Sequence, residues 1–72
     1  MEYTVILEPD EKGRGYTVVV PALPGCVTQG KTRKQAIERA KEAIALYLES
    51  LRADGQPLPE EKRPVQMLKV AV

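Results

Sequence analysis

Tyr16-Thr17-Val18-Val19-Val20-Pro21-Ala22-Leu23-Pro24-Gly25-Cys26-Val27-Thr28-Gln29-Gly30-Lys31-Thr32 is the stretch that decides the fold. It changes structural character three times. Tyr16–Val20 is aromatic-led and β-branched, with Tyr16, Val18 and Val20 on one face at a period of two, and reads as a strand. Pro21-Ala22-Leu23-Pro24-Gly25 cannot extend that strand, because proline brings no N–H to a ladder; it reads as a stiff, irregular link. Leu23, between the two prolines, has no periodic partner. It either points outward as an apolar anchor or folds back to cap the core. Cys26–Gln29 is a second, shorter strand, ended by Gly30, and Thr32 is placed to cap a helix.

Downstream, Thr32 and Gln35 form a T-x-x-Q capping box. At 100° per residue Ile37, Ala40, Ile44, Tyr47, Leu48 and Leu51 share one broad face. Gln35, Arg39, Glu42 and Glu49 lie opposite, and Leu46 sits among them as a lone apolar residue. Gly55 is a candidate C′ residue, and Pro57 and Pro59 stop the helix, which should run from about Arg33 to about Asp54. Gln56–Pro64 is a proline-rich linker carrying Glu60-Glu61-Lys62-Arg63, and Val65–Val72, with Leu68, Val70 and Val72 alternating, reads as a last strand.

Upstream, Tyr3–Glu8 is a strand with Tyr3, Val5 and Leu7 on one face, and Pro9–Gly15 is a turn that makes a hairpin with Tyr16–Val20. The expected fold is α+β: a two-layer β-β-β-α-β unit, residues 1–72 as a single domain, with one helix packed on one face of an antiparallel sheet. Ile37, Ala40, Ile44, Leu48 and Leu51 are expected to lie on the sheet, with Val5, Val18 and Val70 among their contacts. The other sheet face is left without a covering helix.

A chain of 72 residues buries only about 60% of its unfolded surface and needs support. One cysteine excludes an intrachain disulfide, and the absence of histidine leaves little for a zinc site, so a homo-oligomer, a dimer or higher, is expected. Eleven Lys+Arg against ten Asp+Glu argue against nucleic-acid binding by bulk charge. No apolar run approaches the 18 or so residues of a membrane span, no leader is visible, and a free thiol suits a reducing compartment; a cytoplasmic protein is expected. The lack of Asn, a single Ser and six Pro lean towards a thermophilic source.

The chain offers little for catalysis. Cys26 has no histidine to activate it and reads as a small buried hydrophobe. Glu38, Glu42 and Glu49 lie on the polar helix face among Arg39 and Lys41, and read as a solvated surface. Gly13-Arg14-Gly15 lacks the following helix that a phosphate-cradling loop needs. Neither a catalytic residue, a metal site nor a cofactor is expected. Lys31, Arg33 and Lys34 cluster where the helix dipole disfavours cations. They are either a solvated basic end or a contact for phosphate or an acidic partner surface.

From Tyr16 to Thr32 the chain closely resembles the signature of HicB-like antitoxins, an aromatic-led strand, Pro-x-Leu-Pro-Gly-Cys, a short strand and Gly-x-Thr before an alanine-rich helix. Tyr16, Pro21, Pro24, Gly25, Cys26, Gly30 and Thr32 carry the motif. Ala36, Ala40, Glu42-Ala43 and Leu46-Tyr47-Leu48 continue it, and Gly55 and Pro57-Leu58-Pro59 match the helix exit. The resemblance implies a degenerate ribonuclease H-like unit without catalytic carboxylates. It also implies a binding partner, a HicA-type toxin that cleaves mRNA and is blocked by occlusion; the alternative is an orphan oligomeric protein, regulatory or RNA-contacting, without a toxin partner. Ala22, Leu23, Pro24, Lys31, Arg33 and Lys34 are the expected partner-binding residues. Ala22 stands where the family usually has Asp, and the family usually has acidic residues near Lys31, Lys34 and Gln35. Many members carry a further DNA-binding domain; none is expected here, and with it no direct DNA binding.

Overall fold

The computed structural model describes residues 1–61 and 65–72. Three strands, β1 (Ile6–Pro9), β2 (Tyr16–Val19) and β3 (Val27–Gly30), precede one helix, α1 (Arg33–Ala53). Their order in the sheet is β1-β2-β3, antiparallel throughout. Ile6 pairs with Val19 and Pro9 with Tyr16 on one side of β2; Val19 pairs with Val27 and Tyr16 with Gly30 on the other.

The hairpin turn is built around Asp10. Its N–H donates to the Gly15 carbonyl at 2.8 Å, and its carboxylate accepts from the Lys12 and Arg14 N–H groups, each at 3.2 Å. Because Asp10 faces β2, the two-residue alternation of an antiparallel ladder turns Val5, Leu7 and Pro9 outward. Pro9 can therefore sit inside a strand: its missing N–H lies on the free edge.

α1 starts where the sequence says it should. The Gln35 N–H donates to Thr32 Oγ1 at 3.0 Å, and Gln35 Oε1 accepts from the Lys31 N–H at 2.7 Å, one residue before the cap itself. At the other end Asp54 is the C-cap, and the Gly55 N–H donates to the Arg52 carbonyl. The helix lies over β3 and β2. Two joined groups of side chains fill the space between: Val18 with Ala36 and Ala40, and Val20 with Leu23 and Cys26. Tyr3, Val5, Leu7, Tyr16, Ala43, Ile44, Tyr47 and Leu48 pack around them, half-buried.

The seam of closest approach is made of small residues, not of the large ones the helical wheel selects. A Cβ on Gly30 would collide with the Ala36 N atom and lie 2.6 Å from its Cα. Ala36 and Ala40, four residues apart on one face, are the fully buried helix positions, while Ile37 and Leu51 are half-buried.

Two expectations are corrected. β1 begins at Ile6 rather than Tyr3, because β2 ends at Val19 and offers no partner further out. The fifth element of the expected β-β-β-α-β order is not a strand: Val65–Val72 joins no ladder among the described residues, and Val70 makes no part of the core. Alternation records a face, but a strand exists only where its backbone is paired in a ladder. Of the Gln56–Pro64 linker, residues 62–64 lie outside the described residues.

Gly30→Ala is expected to destabilise the domain by about 1–3 kcal/mol, since backbone and not a flexible side chain must move. A melting temperature equal to that of the parent protein would contradict the seam.

Candidate partner-binding surface

The Pro21–Gly25 link is two consecutive tight turns. The Leu23 N–H donates to the Val20 carbonyl at 3.0 Å, the Cys26 N–H to the Leu23 carbonyl at 2.9 Å, and the Val20 N–H to the Cys26 carbonyl at 3.1 Å. These bonds turn Leu23 inward. It is fully buried, the inner of the two orientations the sequence left open, and it touches the same cluster as Ile44, Tyr47 and Leu48. Pro21, Pro24 and Gly25 are exposed and Ala22 is half-buried. The Tyr47 hydroxyl donates to the Pro24 carbonyl at 2.9 Å, so the helix holds the outer turn. The result is a rigid, uncharged knob with exposed prolines, anchored by a buried leucine.

The basic residues are at the other end of the sheet. β3 separates them from the link, about 13 Å of strand. On the helix, Gln35 and Tyr47 are twelve residues or about 18 Å apart. Lys31 borders an open cleft of about 490 Å³, together with Arg14, Arg39, Tyr16, Gln29 and Gln35. A smaller hollow of about 300 Å³ adjoins it, lined by Lys31 and Arg33 with Asp10. Lys34 is exposed but lines neither. Arg14 and Arg39 join this surface only through the fold: one is on the hairpin turn, the other on the second turn of α1. Asp10, the one carboxylate here, meets Arg14 at 3.4 Å, an exposed pair worth little. The cleft therefore carries three cations against one anion.

Of the motif residues, Tyr16 and Gly30 face each other across the β2–β3 ladder, and Thr32 caps the helix. Pro21, Pro24, Gly25 and Cys26 build the link. Cys26 is buried, and burial pushes its thiol pKa up, which keeps it protonated and a poor nucleophile. Among the described residues no group of His, Cys, Asp and Glu side chains is arranged to hold a metal ion, and no helix is long and apolar enough to cross a membrane.

A third feature was not legible in the sequence. The Thr4 N–H donates to Glu61 Oε1 at 2.8 Å and the Thr4 hydroxyl to Glu61 Oε2 at 2.6 Å. The Tyr3 hydroxyl donates to the Pro59 carbonyl. The chain beyond the helix is thus tied to the approach to β1.

A family profile described as the HicB-like antitoxin of a bacterial toxin–antitoxin system matches residues 3–71. A UPF0150 protein of Thermoplasma acidophilum is 54% identical over 61 residues, 85% of this chain and 87% of that one. A UPF0150 protein of Synechocystis is 47% identical over 70 residues, 97% of this chain and 87% of its own. A protein named Antitoxin HicB 1, of Photorhabdus laumondii, is 42% identical over 59 residues, 82% of this chain but 37% of its own length.

Leu23→Ala is expected to cost about 2–5 kcal/mol, read as a lower urea midpoint with an unchanged slope. The tether gives a pH signature. The side-chain and then the backbone hydrogen bond from Thr4 hold the Glu61 carboxyl below its ordinary range. Its contribution is complete above the unfolded value, about 4.3, and is lost as pH falls through the lowered folded one. The urea midpoint of Glu61→Gln should fall below that of the parent protein at pH 6, and the gap should close below about pH 4. A gap that does not depend on pH would remove the tether.

Proposed function

The chain belongs to the HicB-like antitoxin family of bacterial toxin–antitoxin systems, and from that premise we propose that it binds a HicA-type, mRNA-cleaving ribonuclease and blocks it by covering its active site. The match over residues 3–71 carries the reading. Inhibition of this kind needs a surface and no chemistry, in keeping with a buried, protonated Cys26. The link suits the centre of such a contact. Its turns are already closed by backbone hydrogen bonds and by Tyr47, so little conformational entropy is lost on docking. Ala22 and Pro24 touch the toxin, and Leu23 acts from below by holding the knob in shape. Residues 1–72 act as one domain, in the cytoplasm where mRNA is cleaved. A thermophilic source is supported by the composition and by the Thermoplasma relative.

One observation favours a second reading. Arg14, Lys31 and Arg39 converge on a cleft at the end of the sheet away from the link. A basic cleft repels the RNA-binding surface of a ribonuclease and attracts phosphate. An orphan regulator would use it, with Arg33 and Lys34 beside it, to contact RNA.

The two readings separate on purified components. With the ribonuclease encoded beside it, an equimolar amount of the chain should abolish mRNA cleavage. Pro24→Arg should weaken that inhibition tenfold or more, and Lys31→Glu should change it little. If cleavage continues in excess chain while RNA is retarded in a salt-sensitive way that Lys31→Glu removes, the regulator reading replaces the antitoxin one.

A further inference from the structure

The cleft at the turn end of the sheet has a floor of main chain. Gly15 and Gly30 line it, and a Cβ on Gly15 would lie 3.1 Å from the Lys31 Cα. Arg14 and Lys31, far apart in sequence, are therefore carried on touching backbone. Arg39 follows Gln35 by one helical turn, on the same face, and lines the cleft from α1. Tyr16 is the one aromatic ring on the cleft. It also packs against the group of Val18, Ala36 and Ala40, which fixes it as an apolar wall.

The hydrogen bonds already made leave donors over. Asp10 Oδ2 accepts from the Lys12 and Arg14 N–H groups and from Arg14 Nε, so the carboxylate is committed to its own turn. Arg14 gives that carboxylate only Nε, at 3.4 Å, and keeps the fork of its terminal amino groups. The Gln35 oxygen is taken by the Lys31 N–H, which makes the amide NH2 its open end. A site rich in donors and cations selects an anion, and guanidinium forks match the oxygens of phosphate. The net charge of the chain is only +1, so the cations form a local concentration and not a track for a long polyanion. The volume, about 490 Å³, lies within the range of small-molecule sites, about 300–1,000 Å³.

We infer that this cleft binds the terminal phosphate of a 5′-nucleotide, with Arg14, Lys31 and Arg39 on the phosphate, Gln35 donating to it and the base against Tyr16. A terminal phosphate monoester carries a charge of about −1.5 to −2 at pH 7, against about −1 for each phosphate inside a strand, and the three cations suit the former. The inference rests on the reading of this cleft as a phosphate contact and narrows it to a phosphorylated end; it is independent of toxin inhibition. A free nucleotide and the 5′-phosphate end of an RNA present the same chemistry.

Titration calorimetry on the full chain, in a low-salt buffer free of phosphate, tests it. Adenosine 5′-monophosphate should bind and adenosine should not. Ribose 5-phosphate, which has no base to meet Tyr16, should bind about tenfold more weakly. A short RNA with a 5′-phosphate should bind at least about tenfold more tightly than the same RNA with a 5′-hydroxyl. Arg39→Glu, at an exposed position, should weaken nucleotide binding by about tenfold or more with the circular dichroism and Tm retained. Lys41→Glu, the same change of charge outside the cleft, should weaken it by less than about twofold. A phosphorylated RNA that binds more tightly than the mononucleotide identifies an RNA end as the ligand, and one that binds no more tightly identifies the free nucleotide; both results support the site. Equal binding of the two RNAs overturns the inference and leaves the RNA contact standing, whereas no binding by any probe removes both. Displacement of the nucleotide by an equal concentration of a polyglutamate peptide overturns it in favour of an acidic protein surface. So does a Lys41→Glu effect as large as that of Arg39→Glu, which reduces the cleft to bulk charge.

Discussion

The backbone of Gly30 lies against the first turn of the helix, closer than any side chain permits. Most of the structure follows from that contact. It brings β3 and α1 together with no room for a loop, so Thr32, two residues on, must cap the helix at once. It lets Ala36 and then Ala40 close the seam over Val18. The hairpin turn is drawn into the same corner, because a Cβ on Gly15, whose φ is +133°, would strike the Gly30 carbonyl. The hairpin turn, the end of β3 and the first turns of α1 meet there, and the charged residues on each become neighbours.

That corner explains what could be read in advance and what could not. Punctuation is local chemistry, and it was legible: the Thr32–Gln35 cap, the Gly55 exit, the Asp10 turn and the prolines of the link all act within a few residues of themselves. Hydrophobic periodicity found the helix but ranked its face by size. It favoured Ile37 and Leu51, which are half-buried, over Ala36, which is central. Small size is informative only once the opposing surface is known to be a glycine. Leu23 could not be oriented because nothing in its own stretch says where Tyr47 and Ile44 will be. The Thr4–Glu61 tether spans 57 positions and leaves no local trace.

The sequence offered the candidate partner-binding residues as a set, with no arrangement in space. Ala22, Leu23 and Pro24 are close in sequence to Lys31, Arg33 and Lys34, which invites one patch. A strand that runs straight between them makes two, at opposite ends of the sheet, one apolar and rigid, the other cationic and open. Arg14 and Arg39 complete the second from outside that stretch. Proximity along a strand is separation in space, and a small domain can thereby keep two unlike surfaces apart.

Pro9 sits in β1 with its ring on the outer side of the sheet. A free edge with continuous donors accepts one strand after another, and a protein with such an edge risks growing into fibres. Here the row of donors is interrupted after Leu7, where the ring replaces an N–H. A neighbouring strand can register against the first part of the edge and no further. The imino ring thus acts as a terminator: it leaves the edge sociable enough for a short pairing, and too broken to nucleate an open-ended ladder.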